Sequence, residues 1–125
     1  MGKAENAVRA GIRLAIANVK RGILLWPNPV GFAYTQDGSP IRFGLKPGSG
    51  DEIGLRSFVI TPDMVGKRIA QFVSVESKTS NGRARVDQKL WRDLINHMGG
   101  YAVIVHSVEE AERAFVAGRE GESLK

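Results

Sequence analysis

The sequence predicts an α/β fold in a single domain, and three observations lead to that prediction. The chain has 125 residues, which lies within the usual single-domain range of roughly 100–150. Three segments carry apolar residues at helical spacing, and short apolar runs rich in β-branched residues lie between them. Glycine and proline turns separate these segments. We expect one domain over residues 1–118, followed by a polar tail at residues 119–125.

The composition excludes several classes of site and favours one class of partner. The chain has no cysteine, which rules out disulfides, thiolate zinc sites and thiol nucleophiles. Its histidines, His97 and His106, are too few for a histidine-based metal site, and we expect both to be structural. No apolar run approaches the roughly 18 residues of a membrane span, and a signal-peptide core is missing. The sequence therefore predicts a cytoplasmic protein without a membrane partner. The formal charge of +5 favours a polyanion such as nucleic acid.

The first predicted element is a helix over residues 3–21. Its apolar positions recur at helical spacing, and they are Ala4, Val8, Ile12, Ala15 and Val19. Arg9 and Arg13 fall on another face, whereas Glu5 projects onto the apolar side. A carboxylate that faces a core is costly unless a cation or hydrogen bonds meet it, so Glu5 is a candidate functional residue. The alternative is that Glu5 only occupies the first turn, where a negative charge suits the helix dipole.

The rest of the chain reads as strands with two further helices. Strands are predicted at residues 22–26, 31–35, 41–45, 54–60, 68–78 and 101–106, and a single helical turn at residues 61–63. The second helix covers residues 85–98, with Leu90, Trp91, Leu94 and Met98 as its apolar face. The third follows Ser107, which forms a capping-box pattern with Glu110, and its inward residues are Val108, Ala111 and Phe115. If the strands at 54–60 and 68–78 are neighbours, their pairing brings Asp51 close to Glu76.

An acid and a lysine close the strand at residues 68–78. Glu76 and Lys78 are two residues apart, so they project from the same face of the strand. Asp51 is delivered at the start of the preceding strand by a glycine-rich loop. Paired carboxylates repel each other, and a divalent cation converts that repulsion into attraction. Oxygen ligands without His or Cys favour Mg²⁺ or Mn²⁺, with the Ser77 carbonyl as a further ligand. The alternative is a surface Glu–Lys pair of little energetic weight.

A wider set of motifs resembles the stand-alone, mostly phage-encoded VRR-NUC domains of the PD-(D/E)XK nuclease superfamily. The family's "S-D-L-I-G" is matched by residues 50–54, "V-I-T-P-E-M-V-G" by residues 59–66 and "I-E-V-K-T-x-x-G-R" by residues 75–83. Its Glu-Gln pair is matched by Asp87 and Gln88, and the late "A-G-G" and "S-V-E-D-A" by residues 98–100 and 107–111. The resemblance covers almost the whole chain. It implies a restriction-endonuclease-like core, αβββαβα, with a central mixed β-sheet flanked by helices.

The resemblance also implies roles for individual residues. Asp51 and Glu76 would bind the metal, Lys78 would be the catalytic lysine, and Glu5 and Gln88 would support the site. The chain departs from the family pattern at Gly50, Glu52 and Ser77, and it has lost two residues of an "R-N-N" motif before Gly31. By strand alternation, Glu52 is expected to point away from Asp51.

Four basic residues near these motifs are candidates for DNA contact. They are Arg83, Arg85, Lys89 and Arg92, of which the last three form a stripe on the second helix. By default such a stripe is a solvated face, and its proximity to the acid–lysine pair favours phosphate contacts, which position DNA without reading its sequence.

These expectations combine into a metal-dependent, structure-specific DNA endonuclease without an organic cofactor. The stand-alone family members resemble Holliday-junction resolvases that act as homodimers, in the cytoplasm of a bacterial host where they are phage-encoded. Two alternatives stay open. One is a non-catalytic nucleic-acid-binding module with a degenerate nuclease site, and the other is an interaction protein that binds neither metal nor DNA.

Overall fold

The computed structural model describes residues 2–116, so the predicted tail at residues 119–125 lies outside the described residues. The helices and strands run in the order α1 (Lys3–Ile16), β1 (Ile23–Pro27), β2 (Gly31–Tyr34), β3 (Pro40–Phe43), β4 (Glu52–Arg56), β5 (Val73–Ser77), α2 (Val86–His97), β6 (Tyr101–Val105) and α3 (Val108–Val116). Short 3₁₀ helices cover Val19–Arg21 and Pro62–Met64. The second of these is the helical turn expected after Thr61.

The predicted mixture of helices and strands is confirmed, whereas the sheet arrangement differs from the expected central mixed sheet. In the part of the chain that the structure describes, the strands form three two-stranded sheets, β1 with β4, β2 with β3, and β5 with β6. The expected ladder between the strand after Asp51 and the strand of Glu76 is therefore replaced by two other pairings. The strands predicted at residues 54–60 and 68–78 are also shorter than expected, because residues 57–61 and 67–72 take no regular structure.

The chain divides into two compact units, one up to Phe58 and one from Val59 onward. In the first unit, β1 and β4 pair antiparallel from Ile23–Arg56 to Pro27–Glu52. Gly54 lies where this ladder is tightest, since a Cβ there would meet the Leu24 carbonyl oxygen at 1.8 Å. The glycine of the Asp51 motif is thus explained by strand packing. Strands β2 and β3 form a separate antiparallel hairpin.

Helix α1 is turned opposite to the predicted orientation. Its expected apolar face is exposed, with Val8, Ile12 and Ile16 all uncovered, while Arg9 and Arg13 are partly buried. Glu5 is exposed as well, so the prediction that it faces a core is wrong. The reason is electrostatic, because the two arginines form ion pairs with acids at the start of β4. Helical periodicity compares residues within α1 alone, so it cannot predict ion pairs with residues near β4.

The second unit contains a parallel β–α–β element and the fully buried core. Strands β5 and β6 pair from Val73–Tyr101 to Ser77–Val105, and α2 provides the crossover connection that a parallel pair requires. Ile95 is completely buried, and Ala102 and Val105 of β6 are nearly so. Ile95 was absent from the predicted apolar face of α2, whereas Leu90, which was included, is 64% exposed. The contact face of α2 is therefore rotated from the predicted one.

Helix α3 begins as its sequence predicts but packs with fewer residues than expected. The Ser107 hydroxyl accepts a hydrogen bond from the Glu110 backbone N–H at 3.0 Å, which is the capping interaction. Phe115 packs edge-to-face on Tyr101 at 5.3 Å between ring centroids. Val108, the first residue of α3, is exposed, so its predicted inward position is wrong. None of the helices in the described range has the length and apolarity needed to cross a bilayer.

Candidate functional site

The face of β5 that carries Glu76 and Lys78 is half-buried, as alternation predicts. Ser74, Glu76 and Lys78 are all partly buried, while Val73, Val75 and Ser77 between them are exposed. Helix α2 packs on this face, where the Trp91 indole N–H donates to the Ser74 hydroxyl at 2.9 Å. Because α2 lies along the same face of β5, it brings Gln88 to Glu76.

Glu76 is held through one of its two carboxylate oxygens. The Gln88 amide Nε2 donates to Glu76 Oε1 at 2.7 Å, and the Lys78 ammonium lies 3.4 Å from the same oxygen. Neither of these contacts uses Oε2. An orientation fixed through one oxygen keeps the other available as a ligand for a hard cation, whose preferred donors are carboxylate oxygens.

The orientation of Gln88 is itself determined by the start of α2. Its side-chain Oε1 accepts a hydrogen bond from the Arg85 backbone N–H at 2.9 Å, which satisfies one of the free donors at the helix N-terminus. The amide must then present its NH₂ group to Glu76. The sequence predicted Gln88 as a supporting residue, and the structure adds the capping contact.

Asp51 lies in the first unit, on a loop that hydrogen bonds from Asn28 hold in place. Its backbone carbonyl accepts from the Asn28 N–H at 2.8 Å. The buried Asn28 side chain donates to the Ser49 hydroxyl at 2.8 Å and the Gly50 carbonyl at 2.9 Å, and accepts from the Leu45 N–H at 3.0 Å. Asn28 thus fixes the loop backbone that delivers Asp51. Its place between two prolines was the signal in the sequence that could have indicated this role.

The Asp51 carboxylate is accessible and forms an ion pair. Its side chain is 65% exposed, and Oδ1 lies 2.8 Å from the Arg9 guanidinium. Sequence reasoning missed this partner because it assigned Arg9 to a face of α1 away from the core.

Glu52 lines the same cleft as Asp51, which corrects the expectation that it points away. Alternation does not apply to this pair, because Asp51 precedes β4 and only Glu52 belongs to it. Glu52 Oε1 accepts from Arg13 at 3.0 Å, and its side chain is 12% exposed. Its Oε2 is buried without a hydrogen-bond partner. The cleft has a volume of about 230 Å³, and Arg9, Arg13, Asn28 and both acids line it.

Glu5 does not join this cleft in the described structure. It lies one helical turn before Arg9, and it is absent from the residues that line the cleft. Ser77 ends β5 as an exposed residue, and the metal-binding role of its carbonyl stays a prediction.

The four basic candidates differ in their ionic partners. Arg85 pairs with Asp87 at 3.0 Å and Arg92 with Asp93 at 3.0 Å, and all four of these side chains are exposed to solvent to a substantial degree. The hydrogen bond from Arg85 lowers the pKa of Asp87 below its usual value and raises that of Arg85. Lys89 and Arg83 are exposed and take part in none of the ion pairs of the described chain.

The loop that carries Arg83 is anchored by His106. The imidazole Nε2 lies 3.1 Å from the Gly82 carbonyl oxygen, and Nδ1 lies 3.5 Å from Glu110. These contacts fit the structural role expected for this histidine.

Each unit, taken by itself, offers carboxylate oxygens of the kind that a hard divalent cation binds. Within residues 2–116, no group of three or more His, Cys, Asp or Glu side chains converges to hold a metal ion. The carboxylates of Asp51 and Glu76 each keep one oxygen outside the contacts given above, and Glu52 Oε2 is an unpaired buried acceptor. Such oxygen donors are those that Mg²⁺ and Mn²⁺ prefer.

Comparison of the chain with protein-family models, curated proteins and solved structures gave no match.

Proposed function

We propose that this protein is a metal-dependent, structure-specific endonuclease that hydrolyses phosphodiester bonds in branched DNA, such as four-way junctions. The observation that carries the proposal is the arrangement at the end of β5. There, Gln88 and Lys78 both approach Oε1 of Glu76, and its second oxygen is left for a cation. The motif resemblance and the net charge of +5 support the same conclusion.

In this proposal, Asp51 and Glu76 are the metal-binding carboxylates. A Mg²⁺ or Mn²⁺ ion bound by such a carboxylate would polarise the phosphodiester and lower the pKa of bound water. Lys78 is mostly shielded from solvent, and its ammonium orients the attacking water and stabilises the negative charge that develops on the phosphorus oxygens. Gln88 keeps the Glu76 carboxylate in its orientation. We propose supporting roles for Glu5 and for the Ser77 carbonyl as well.

The exposed basic residues support binding of the DNA backbone. Arg83, Arg85, Lys89 and Arg92 lie on α2 and on the loop before it, and they carry the charge that phosphate contacts require. A homodimer would present two such sites to the two strands of a symmetric junction. Sedimentation of the protein with and without junction DNA measures this stoichiometry.

The direct test uses purified protein with a panel of synthetic DNA substrates. Labelled four-way junctions, flaps, duplexes and single strands are incubated with Mg²⁺ or Mn²⁺, and with a chelator as control. We expect metal-dependent cutting of the branched substrates in preference to the linear duplex. Failure to cut any member of the panel with either metal would overturn the proposal.

A non-catalytic nucleic-acid-binding module makes a different prediction for metal binding. A real metal site stabilises the folded state, because the ligand binds only that state, by about 2.7 kcal/mol at a hundredfold excess over Kd. We therefore expect Mn²⁺ to raise the thermal unfolding midpoint. A protein that binds DNA but gains no stability from Mn²⁺ would favour the binding module.

A further inference from the structure

Arg9 occupies one oxygen of the carboxylate that the proposed function assigns to the metal. The guanidinium lies 2.8 Å from Asp51 Oδ1, which is the distance of a charge-assisted hydrogen bond. A divalent cation at Asp51 would therefore compete with Arg9 for the same negative charge.

The backbone of Asp51 does not depend on this ion pair. Asn28 holds the loop through its backbone N–H and through three side-chain hydrogen bonds. The ion pair of Arg9 is with the side chain of Asp51, and Arg9 takes no part in these bonds, so we expect the loop to keep its position when Arg9 leaves. The Arg9 side chain is 23% exposed and that of Asp51 65%, and an ion pair that solvent reaches in this way contributes only about 0–1 kcal/mol to stability, which makes it readily exchangeable.

The cleft around Arg9 holds two ion pairs, so its positive and negative charges balance. Arg9 faces Asp51, and Arg13 faces Glu52 at 3.0 Å. If a divalent cation takes Asp51, the guanidinium of Arg9 is left without its counter-ion inside a cleft of about 230 Å³. A cleft of that volume holds several water molecules of about 30 Å³ each, so it has room for a phosphate group.

We infer that Arg9 is an exchangeable counter-ion, which neutralises Asp51 in the metal-free protein and moves to a phosphate oxygen of bound DNA when a divalent cation takes Asp51. The inference rests on the proposed function, because it requires Asp51 to bind metal. It assigns Arg9 as a substrate-binding residue whose availability depends on the metal. Metal and DNA would then bind cooperatively through this one side chain.

The first measurement is Mn²⁺ binding to the full chain by calorimetry. Arg9→Gln removes the competing cation, so we expect Mn²⁺ to bind more tightly than to the wild type by up to about fivefold, which is the effect of losing a partly exposed ion pair. Lys3→Gln is the matched control, because Lys3 is an exposed cation on the same helix and is not among the residues that line the cleft. It should leave the Mn²⁺ affinity unchanged, and Arg9→Lys, which keeps the charge, should behave as the wild type.

The second measurement is the salt dependence of junction binding, with Ca²⁺ as a non-hydrolysing substitute and with chelator. One phosphate contact contributes about 0.9 to the slope of log K against log salt. In Ca²⁺ we expect the slope of Arg9→Gln to be smaller than that of the wild type by this amount, and in chelator we expect equal slopes. Circular dichroism establishes that each variant is folded, and if Arg9→Gln is not, Arg9→Met is measured in its place.

The outcomes separate this inference from the proposed function. Unchanged or weaker Mn²⁺ binding by Arg9→Gln, or an unchanged slope in Ca²⁺, would overturn the exchange while wild-type cleavage still stands. A wild-type protein that neither binds Mn²⁺ nor cuts DNA would overturn both.

Discussion

At the scale of single residues, the proposed metal site depends on how the carboxylate of Glu76 is held. Two donors approach one oxygen of this carboxylate, and one of them, Gln88, is fixed by the N-terminus of α2. A partner in the second coordination shell that orients a metal ligand is worth about 10- to 100-fold in metal affinity. Gln88 therefore has both a structural role and a positioning role.

Gln88→Ala tests both roles together. It removes two hydrogen bonds, so we expect a loss of about 1–3 kcal/mol in the free energy of unfolding and a 10- to 100-fold weaker Mn²⁺ affinity. Urea denaturation and calorimetry measure the two effects. Lys89→Ala, at the next position on the solvent side of α2, should change neither. An unaltered Mn²⁺ affinity in Gln88→Ala would show that Gln88 does not position Glu76.

The pKa of Asp87 supplies a residue-level prediction for the effect of acid. This pKa lies below its usual value, chiefly because Arg85 donates a hydrogen bond to the carboxylate. A lowered folded-state pKa means that the contribution is complete above the unfolded-state pKa, whose ordinary value is 3.8, and is lost as the pH falls through the folded value. In thermal unfolding from pH 7 down to about pH 2, Asp87→Asn should lose less stability on acidification than the wild type. Parallel pH profiles would contradict this assignment.

At the scale of elements, α2 is the element that joins the core to the site. Its own Ile95 is fully buried, and its Gln88 and Trp91 contact the acid-bearing face of β5. The packing that stabilises the second unit thus also sets the distance between Gln88 and Glu76.

Ile95→Ala measures that packing. Truncation of a fully buried isoleucine costs about 2–5 kcal/mol, so we expect a large fall in the urea midpoint. Leu90→Ala on the same helix is the matched control, because its side chain is 64% exposed, and we expect a change within about 0.5 kcal/mol. Comparable losses in the two variants would mean that α2 packs through the face that its sequence periodicity favoured.

The elements also show why sequence reasoning succeeded in some places and failed in others. Alternation correctly placed Glu76 and Lys78 on one side, because that rule is local and the alternating burial continues one residue past β5 to Lys78, whose N–H donates to the Val105 carbonyl. The orientation of α1 was predicted wrongly because the ion pairs of Arg9 and Arg13 involve acids about 40 residues away. The core-facing position of Glu5 was predicted wrongly for the same reason, because it depended on the orientation of α1. The pairing partner of each strand could not be predicted either, because register depends on contacts that one sequence does not specify.

At the scale of the whole molecule, the net charge of +5 is the feature most relevant to a polyanionic partner. Two of the four basic candidates, Arg85 and Arg92, have neighbouring acids that offset their charge locally. Lys89 lies between them on α2 without an ion pair in the described structure. We therefore expect Lys89 to contribute more to phosphate binding than its neighbours do.

Salt titration of DNA binding tests this ranking. Lys89→Ala should reduce the slope of log K against log salt by about 0.9, with the same effect on junctions of different sequence. Arg92→Ala should reduce it less, because Asp93 offsets its charge. A Lys89→Ala protein with the wild-type slope would place the DNA on another surface.

The central claim is that Glu76 binds the metal that supports phosphodiester hydrolysis, and its most direct test is the cleavage rate of a four-way junction at saturating Mn²⁺. Glu76→Gln keeps the shape of the side chain and the oxygen that accepts from Gln88, but it removes the charge that a cation needs. Because metal-ion stabilisation of the transition state is worth several kcal/mol, we expect the rate to fall by about a thousandfold or more. Cleavage by Glu76→Gln at close to the wild-type rate would contradict the account.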